Sequence, residues 1–301
     1  MADSEHSQRK MHDDEHAIDA ELVRALLTAQ FPEFAGLQVR AVHSTGTVNA
    51  IFRLGDKLCV RLPRTASWAD DIEAECRWLP ELAPHLSLAV PEPVAKGTPG
   101  AGYPYSWAIY RWIDAVPYSD ELVIDERQAA KDLAQFIAEL RAIEIFPGAP
   151  RGGRRPLREL DDQTRGAIEA ARGVIDSDAA AAAWERALTA PVWTGTPVWI
   201  HADLMQPNLL VTDGVIQAVI DFGSVGVGDP AADVIPAWEV FRQPGRETFR
   251  AALDVDDGTW QRARGYALHQ AAMIIPYYRE TNPEFVAIAK RTVEEVLADD
   301  S

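Results

Sequence analysis

The sequence predicts an α+β fold in two lobes, a small N-lobe built on an antiparallel sheet and a larger, mainly helical C-lobe. Three observations predict it. Short apolar runs of strand type crowd the region before residue 113, and helix-period patterns dominate after residue 126. With 301 residues, 47% of them hydrophobic, the chain exceeds the usual size of one compact unit and can bury a substantial core. A single strand, loop and hairpin pattern, Trp199 to Asp233, interrupts the helical half. The expected division is a disordered segment at 1–17, the sheet lobe at 18–113 and the helical lobe at 114–301.

Taken in chain order, Met1 to Glu15 is polar and lacks the apolar core of a secretion signal. Ile18, Leu22, Val23, Leu26 and Leu27 then recur at helical spacing, with Asp19 near the start and Pro32 just past the end. Three strands are expected at Val39 to His43, Ala50 to Leu54 and Lys57 to Leu62, with Gly55-Asp56 turning the second into the third. The link between the first two, Ser44-Thr45-Gly46-Thr47-Val48-Asn49, is small and hydroxyl-rich. Its amides could lie close to phosphates, although by itself the pattern reads as a turn. A helix is expected over Ala69 to Leu79 and a strand over Ser106 to Tyr110, and the lobes should join at Arg111-Trp112-Ile113.

From Glu126 onward the chain turns helical, with Leu133, Phe136, Ile137 and Leu140 at i, i+3, i+4 and i+7. Pro147 to Pro156 reads as a flexible basic loop with no assigned role. Asp178 to Leu188 is an alanine-rich helix. Strands follow at Pro197 to Ile200, Asn208 to Val211 and Val215 to Ile220, the last two joined by the hairpin signal Asp213-Gly214. Helices over Ile235 to Phe241, Thr259 to Tyr277 and Pro283 to Leu297 complete the lobe, with Lys290, Arg291, Glu294 and Glu295 on a solvated face. Trp238, Phe241, Tyr266, Tyr277 and Tyr278 are core residues by burial preference, or the lining of an apolar pocket.

The charge balance narrows the function. Lys+Arg 29 against Asp+Glu 46 gives a net charge of -17, which argues against nucleic acid or an anionic membrane as partner and suits a cationic small substrate. The two cysteines, Cys59 and Cys76, have neither metal-ligand spacing nor company for a disulfide framework, so a reduced, cytoplasmic setting is expected. No apolar run is long enough to span a membrane.

The chemistry is concentrated in Trp199 to Asp233. Asp203 is followed five positions later by Asn208, and eighteen positions on Asp221 ends an apolar run just before Phe222-Gly223. Phosphoryl transfer requires a group that orients an acceptor hydroxyl and oxygen ligands that hold magnesium on the phosphates. A carboxylate, an amide oxygen and a second carboxylate meet those needs, with Asp203 as base and Asn208 and Asp221 as magnesium ligands. The hairpin between them folds Asp221 back toward the loop of Asp203, and Gly223 is expected to permit a turn there. His201 is expected to hold the loop through hydrogen bonds rather than to react. Arg61 alternates with apolar neighbours and could bind phosphates, fixed by Glu73 or Glu75 of the following helix.

On these residues the chain resembles the aminoglycoside phosphotransferase family of kinase-like enzymes, which includes macrolide kinases. The resemblance runs from about Ile18 to Ala298, with Ile200 to Asp233 its most specific part. It implies a protein-kinase-like fold with a five-stranded sheet, ATP or GTP as phosphate donor, and Mg2+. It also implies Asp203 as catalytic base, Asn208 and Asp221 on the metal, and Arg61 with Glu75 on the nucleotide. The loop Ser44, Thr45, Gly46 and Thr47 would meet the phosphates, and the backbone of Arg111 and Ile113 the nucleotide base. Ala202 stands where the family commonly has glycine, Val48 where it is more polar, and Arg61 where it often has lysine. The acceptor implied is a small hydroxyl-bearing molecule, foremost an aminoglycoside-type antibiotic, with a macrolide or a metabolite as alternatives. The protein is expected as a monomer or simple homo-oligomer. A kinase-fold binding protein without turnover is the competing class, and the intact Asp203, Asn208 and Asp221 argue against it.

Overall fold

The computed structural model describes residues 15–42 and 48–299. Helix α1 (Ala20–Gln30) opens the small lobe, and the Asp19 carboxylate caps it by accepting the N–H groups of Glu21 and Leu22. Its inner face, Val23, Leu26 and Leu27, is buried. The sheet comprises β1 (Val39–Ala41), β2 (Asn49–Leu54), β3 (Leu58–Pro63), β4 (Pro93–Gly97) and β5 (Trp107–Arg111), with α2 (Ala69–Leu82) between β3 and β4. All neighbours are antiparallel, in the order β1-β2-β3-β5-β4.

Strand alternation gives the sheet two different faces. Phe52, Val60, Leu62, Trp107 and Ile109 pack with α1 in one core. Cys59, Ala108 and Tyr110 face the other way and join the core of the large lobe, together with Ile72, Trp78, Leu79 and Leu82 of α2. Arg61 lies on this second face.

The large lobe holds β6 (Val116–Pro117), α3 (Glu126–Ala142), α4 (Asp161–Ala170), α5 (Ser177–Ala187), β7 (Val198–Ile200), β8 (Leu209–Thr212), β9 (Val215–Val219) and β10 (Gly226–Gly228). After these come α6 (Pro236–Glu239), α7 (Gln243–Leu253), α8 (Asp257–Tyr278) and α9 (Pro283–Ala298). Strands β6, β8 and β9 form one small sheet, and β7 pairs with β10. Asp213 and Gly214 both take left-handed backbone, φ 52° and 83°, the signature of a tight hairpin turn with right-handed strand twist. Trp184, Trp199, Trp238, Phe136, Phe222, Phe241 and Phe249 are buried to completion, so Trp238 and Phe241 are core, while Tyr277 is exposed. No helix among the described residues is long and apolar enough to cross a membrane.

Several sequence expectations are corrected. β4, α4 and α7 were not anticipated; α7 starts Gln-Pro-Gly, and Pro is tolerated there because the N–H groups of the first turn have no acceptor within the helix, so no helical hydrogen bond is lost. Asn208 sits in a single 3-10 turn, Gln206–Asn208, rather than in the strand that begins at Leu209. The face of α9 is only half solvated. Arg291 is inserted against the carbonyls of Glu239 and Val240, both at 3.0 Å, and Glu295 pairs with the buried Arg246 at 3.2 Å. The first expected strand ends at Ala41, and His43 lies outside the described residues.

Candidate active site

The loop after β7 carries Asp203, and a carboxylate from further along the chain sets its shape. Asp233 is fully buried and accepts two successive backbone donors, His201 N–H at 2.8 Å and Ala202 N–H at 2.7 Å. Burial pushes its pKa up, and His201 and the N–H donors counter that. A backbone N–H can only donate, so the contact of Asp203 N–H with His201 Nδ1 at 3.2 Å makes Nδ1 the acceptor. The ring hydrogen then belongs on Nε2, which donates to the Ile220 carbonyl at 3.1 Å. With both nitrogens used and its ring against Phe222, His201 anchors the loop. Ala202 stands at φ 68°, a left-handed position that favours glycine, so the alanine noted in the sequence holds strained backbone here.

Asp203 keeps a third of its side chain open to solvent. Asn208 donates through Nδ2 to the Asp203 carbonyl at 2.8 Å and to its Oδ2 at 3.2 Å, which leaves the amide oxygen free to ligate. Asp221, at φ 67°, turns the chain out of β9. The pocket pushes the Asp203 pKa up through desolvation, Arg154 pulls it down, and Asp221 raises it further. The oxygen-only pair Asn208 and Asp221 fits a hard cation such as magnesium, which usually takes one or two protein ligands and leaves the rest to phosphate and water.

Across the cleft Arg61 joins the two lobes. Its Nη1 donates to both Glu75 oxygens at 2.8 Å, and its Nη2 donates to Asp221 Oδ1 at 3.0 Å. Burial works against its charge, but Glu75 and Asp221 outweigh that and hold the guanidinium protonated well beyond its ordinary range. Glu75 is fully buried and also accepts from the Tyr110 hydroxyl and from Phe222 N–H. One carboxylate on α2 therefore ties β3, β5 and the chain after Asp221 together. Glu73, the alternative partner, pairs instead with Lys96 on β4.

Gly223 serves differently from the expectation. The left-handed residue is Asp221, and a Cβ on Gly223 would meet the Asp71 carboxylate at 2.7 Å. The glycine thus lets α2 approach. Asp71 is raised to about 7 by burial first, then by Asp221 and Glu75.

The segment 147–156 is also corrected. It is not a loose connection, because Gly152 N–H donates to the Val227 carbonyl and Val227 N–H to the Pro150 carbonyl, at 3.0 and 2.8 Å. Gly152 and Gly226 touch backbone to backbone, with no room for a Cβ on either. This pins Arg154, whose Nη2 donates to Gln270 Oε1 and to the Ala202 carbonyl and lies 3.9 Å from Asp203 Oδ1. Glu239, at the end of α6, is buried with its Oε2 unpartnered. Burial raises its pKa to about 8, and the charge of Asp203 adds to the shift. Sequence reading missed Arg154, Gln270, Glu239, Asp71 and the role of Asp233; only Asp233, closing the most specific stretch, carried a local signal.

A family model describing a phosphotransferase enzyme family matches residues 40–266, about three quarters of the chain and the whole cluster just described. The chain belongs to the phosphotransferase enzyme family. Solved structures agree on the fold. The GDP complex of wild-type aminoglycoside 2'-phosphotransferase-IIIa is 20% identical with a TM-score of 0.72, covering 94% of this chain and 100% of that one. The GDP and kanamycin complex of APH(2")-IIIa is 21% identical with a TM-score of 0.71, covering 92% and 98%. Macrolide 2'-phosphotransferase MphH from Brachybacterium faecium is 20% identical with a TM-score of 0.59, covering 93% and 98%. No curated protein sequence matches significantly. The phosphotransferase is thus a small-molecule kinase by family, with the protein-kinase-like arrangement of sheet lobe and helical lobe.

Of the residues singled out from sequence, Arg61, Glu75 and Asp221 are joined in one ion-pair group, and Asp203, hydrogen-bonded to Asn208, lies close enough to feel the charge of Asp221. Arg111 closes β5, its N–H donating to the Glu92 carbonyl at 3.0 Å, and the Ile113 carbonyl accepts from Ala115 N–H at 3.0 Å. Ser44, Thr45, Gly46 and Thr47 lie outside the described residues.

Proposed function

We propose that the enzyme moves the terminal phosphate of ATP or GTP, with Mg2+, to a hydroxyl of a small molecule. The observation that carries this reading is the placement of Arg61 and Glu75 of the small lobe against Asp221 of the large lobe, which also carries Asp203 and Asn208, through the 3.0 Å contact of Arg61 with Asp221. Asp203 would take the hydroxyl proton and aim the oxygen. Asn208 and Asp221 would hold the metal, which when bound offsets phosphate charge. Arg61, kept cationic and fixed by Glu75, would bind the phosphates. The link 44–47 would cover them, and the backbone at Arg111 and Ile113 would face the base.

For the acceptor, an aminoglycoside-type polycation is the first reading. The net charge of -17 supports it, because an acidic protein attracts a cationic substrate. Arg154 beside Asp203 favours a second reading, a less charged acceptor such as a macrolide or a metabolite. The division of lobes at residue 113, a cytoplasmic location and a monomer or simple homo-oligomer complete the proposal. The test is a panel of aminoglycosides, macrolides and amino alcohols incubated with magnesium and either ATP or GTP, scored by mass for added phosphate. One phosphate on an acceptor, absent without magnesium, is expected; a panel that stays unmodified with both nucleotides rejects both acceptor classes.

A further inference from the structure

A cavity of about 700 Å3 opens in the large lobe between the segment around Leu157, the 188–197 loop and α8. Its buried floor includes Leu157 and Tyr266, and Trp193 and the exposed Val192 stand at its mouth. Trp193 is placed there by its own loop, its indole folded so closely over Gly195 that a Cβ on that residue would come within 2.7 Å of it. An aromatic and apolar mouth of this kind is typical of ligand pockets and atypical of plain surface.

The charge around the cavity runs against that of the chain. In a protein of net charge -17, Arg151, Arg154 and Arg158 all line it. Arg151 and Arg158 are exposed and form no ion pair among the described residues, and the Arg154 Nε has no partner. Of the two carboxylates that line the cavity, Asp229 is taken by Arg262 at 2.7 Å, and Glu159 is exposed. Arg154 lines the cavity too and reaches the loop of Asp203, its Nη2 donating to the Ala202 carbonyl at 3.3 Å and lying 3.9 Å from Asp203 Oδ1, while Asp203 itself is not among the lining residues.

We propose that this cavity binds a small ring-bearing carboxylate, at a site separate from the phosphoryl-transfer cleft. The ring lies on Trp193 and Tyr266, and the carboxylate is received by Arg151 and Arg158, whose planar guanidinium groups match it in two-point geometry. The site does not depend on which acceptor the enzyme phosphorylates.

The test is calorimetric titration of the full chain at low salt with indole-3-acetate and, separately, with the uncharged indole-3-acetamide. The acid is expected to bind at least about tenfold tighter than the amide, the size of one charge-assisted contact. Substituting Arg151→Ala and Arg158→Ala together should erase that ratio and leave the thermal midpoint unchanged. Leu157→Trp, which fills the floor, should remove binding of both compounds. Saturating ATP and magnesium should leave acid binding intact. No heat, equal affinity for acid and amide, a ratio that survives the double substitution, or displacement by nucleotide would each overturn the proposal.

Discussion

At the scale of single residues, burial raises the pKa of each carboxylate packed around the loop, Asp71, Asp203, Asp233 and Glu239 alike. Asp203, with a third of its side chain open, remains within reach of an incoming hydroxyl, and Asp203→Ala should lower kcat by roughly 10² to 10⁴ as expected for a lost general base. Nucleotide affinity measured by titration should persist, and turnover equal to the parent enzyme would remove the role assigned to Asp203. Glu239, by contrast, is closed to solvent. Its native pKa of about 8 lies above the unfolded value of 4.5, so between those limits the folded state holds a proton that the unfolded state has lost. Stability should therefore fall as pH rises from about 5 to 8 and level off above, by the linkage of proton binding to folding. Glu239→Gln should raise the denaturation midpoint at pH 8 and leave it nearly unchanged at pH 5. A parallel offset at both values would count against this account.

At the scale of elements, the loop of Asp203 is shaped from outside itself. Asn in place of Asp233 offers one acceptor oxygen where two N–H groups arrive, so one donor is left buried and unsatisfied. Asp233→Asn should cost about 1–3 kcal/mol of unfolding free energy, read from urea titration, and depress kcat more than nucleotide affinity. The hairpin and the helices with clean apolar periodicity, such as α3, were legible in the sequence because each follows from local rules. So was the ordered set Asp203, Asn208 and Asp221. What escaped was set by distant packing. Arg154 reads as one arginine among several in a glycine-rich stretch, and only the pairing of that stretch with β10 reveals its position. Glu239 reads as an ordinary helical acid until α9 is packed over it. Gly223 was noticed for the wrong reason, since no local pattern predicts the approach of Asp71.

At the scale of the whole molecule, the lobes meet through charge as well as through a shared core. Arg61, Glu75 and Asp221 come from β3, α2 and the end of β9, and Glu75 fixes both the cation and Phe222 N–H. Asp221→Asn should weaken nucleotide binding in magnesium far more than in chelator, and an unchanged magnesium titration would refute the metal role. Glu75→Gln should loosen both attachments at once and raise the nucleotide Kd without abolishing the fold. The grip of Asp233 on the loop of Asp203 has a consequence in time. A chain emerging from the ribosome completes the sequence of that loop about thirty residues before the side chain that shapes it arrives, and longer before α8 brings Gln270. During that interval the small lobe can already fold. A nascent chain that stalls before residue 233 therefore carries Arg61, Glu75, Asp203, Asn208 and Asp221 and still lacks the carboxylate that shapes the loop of Asp203.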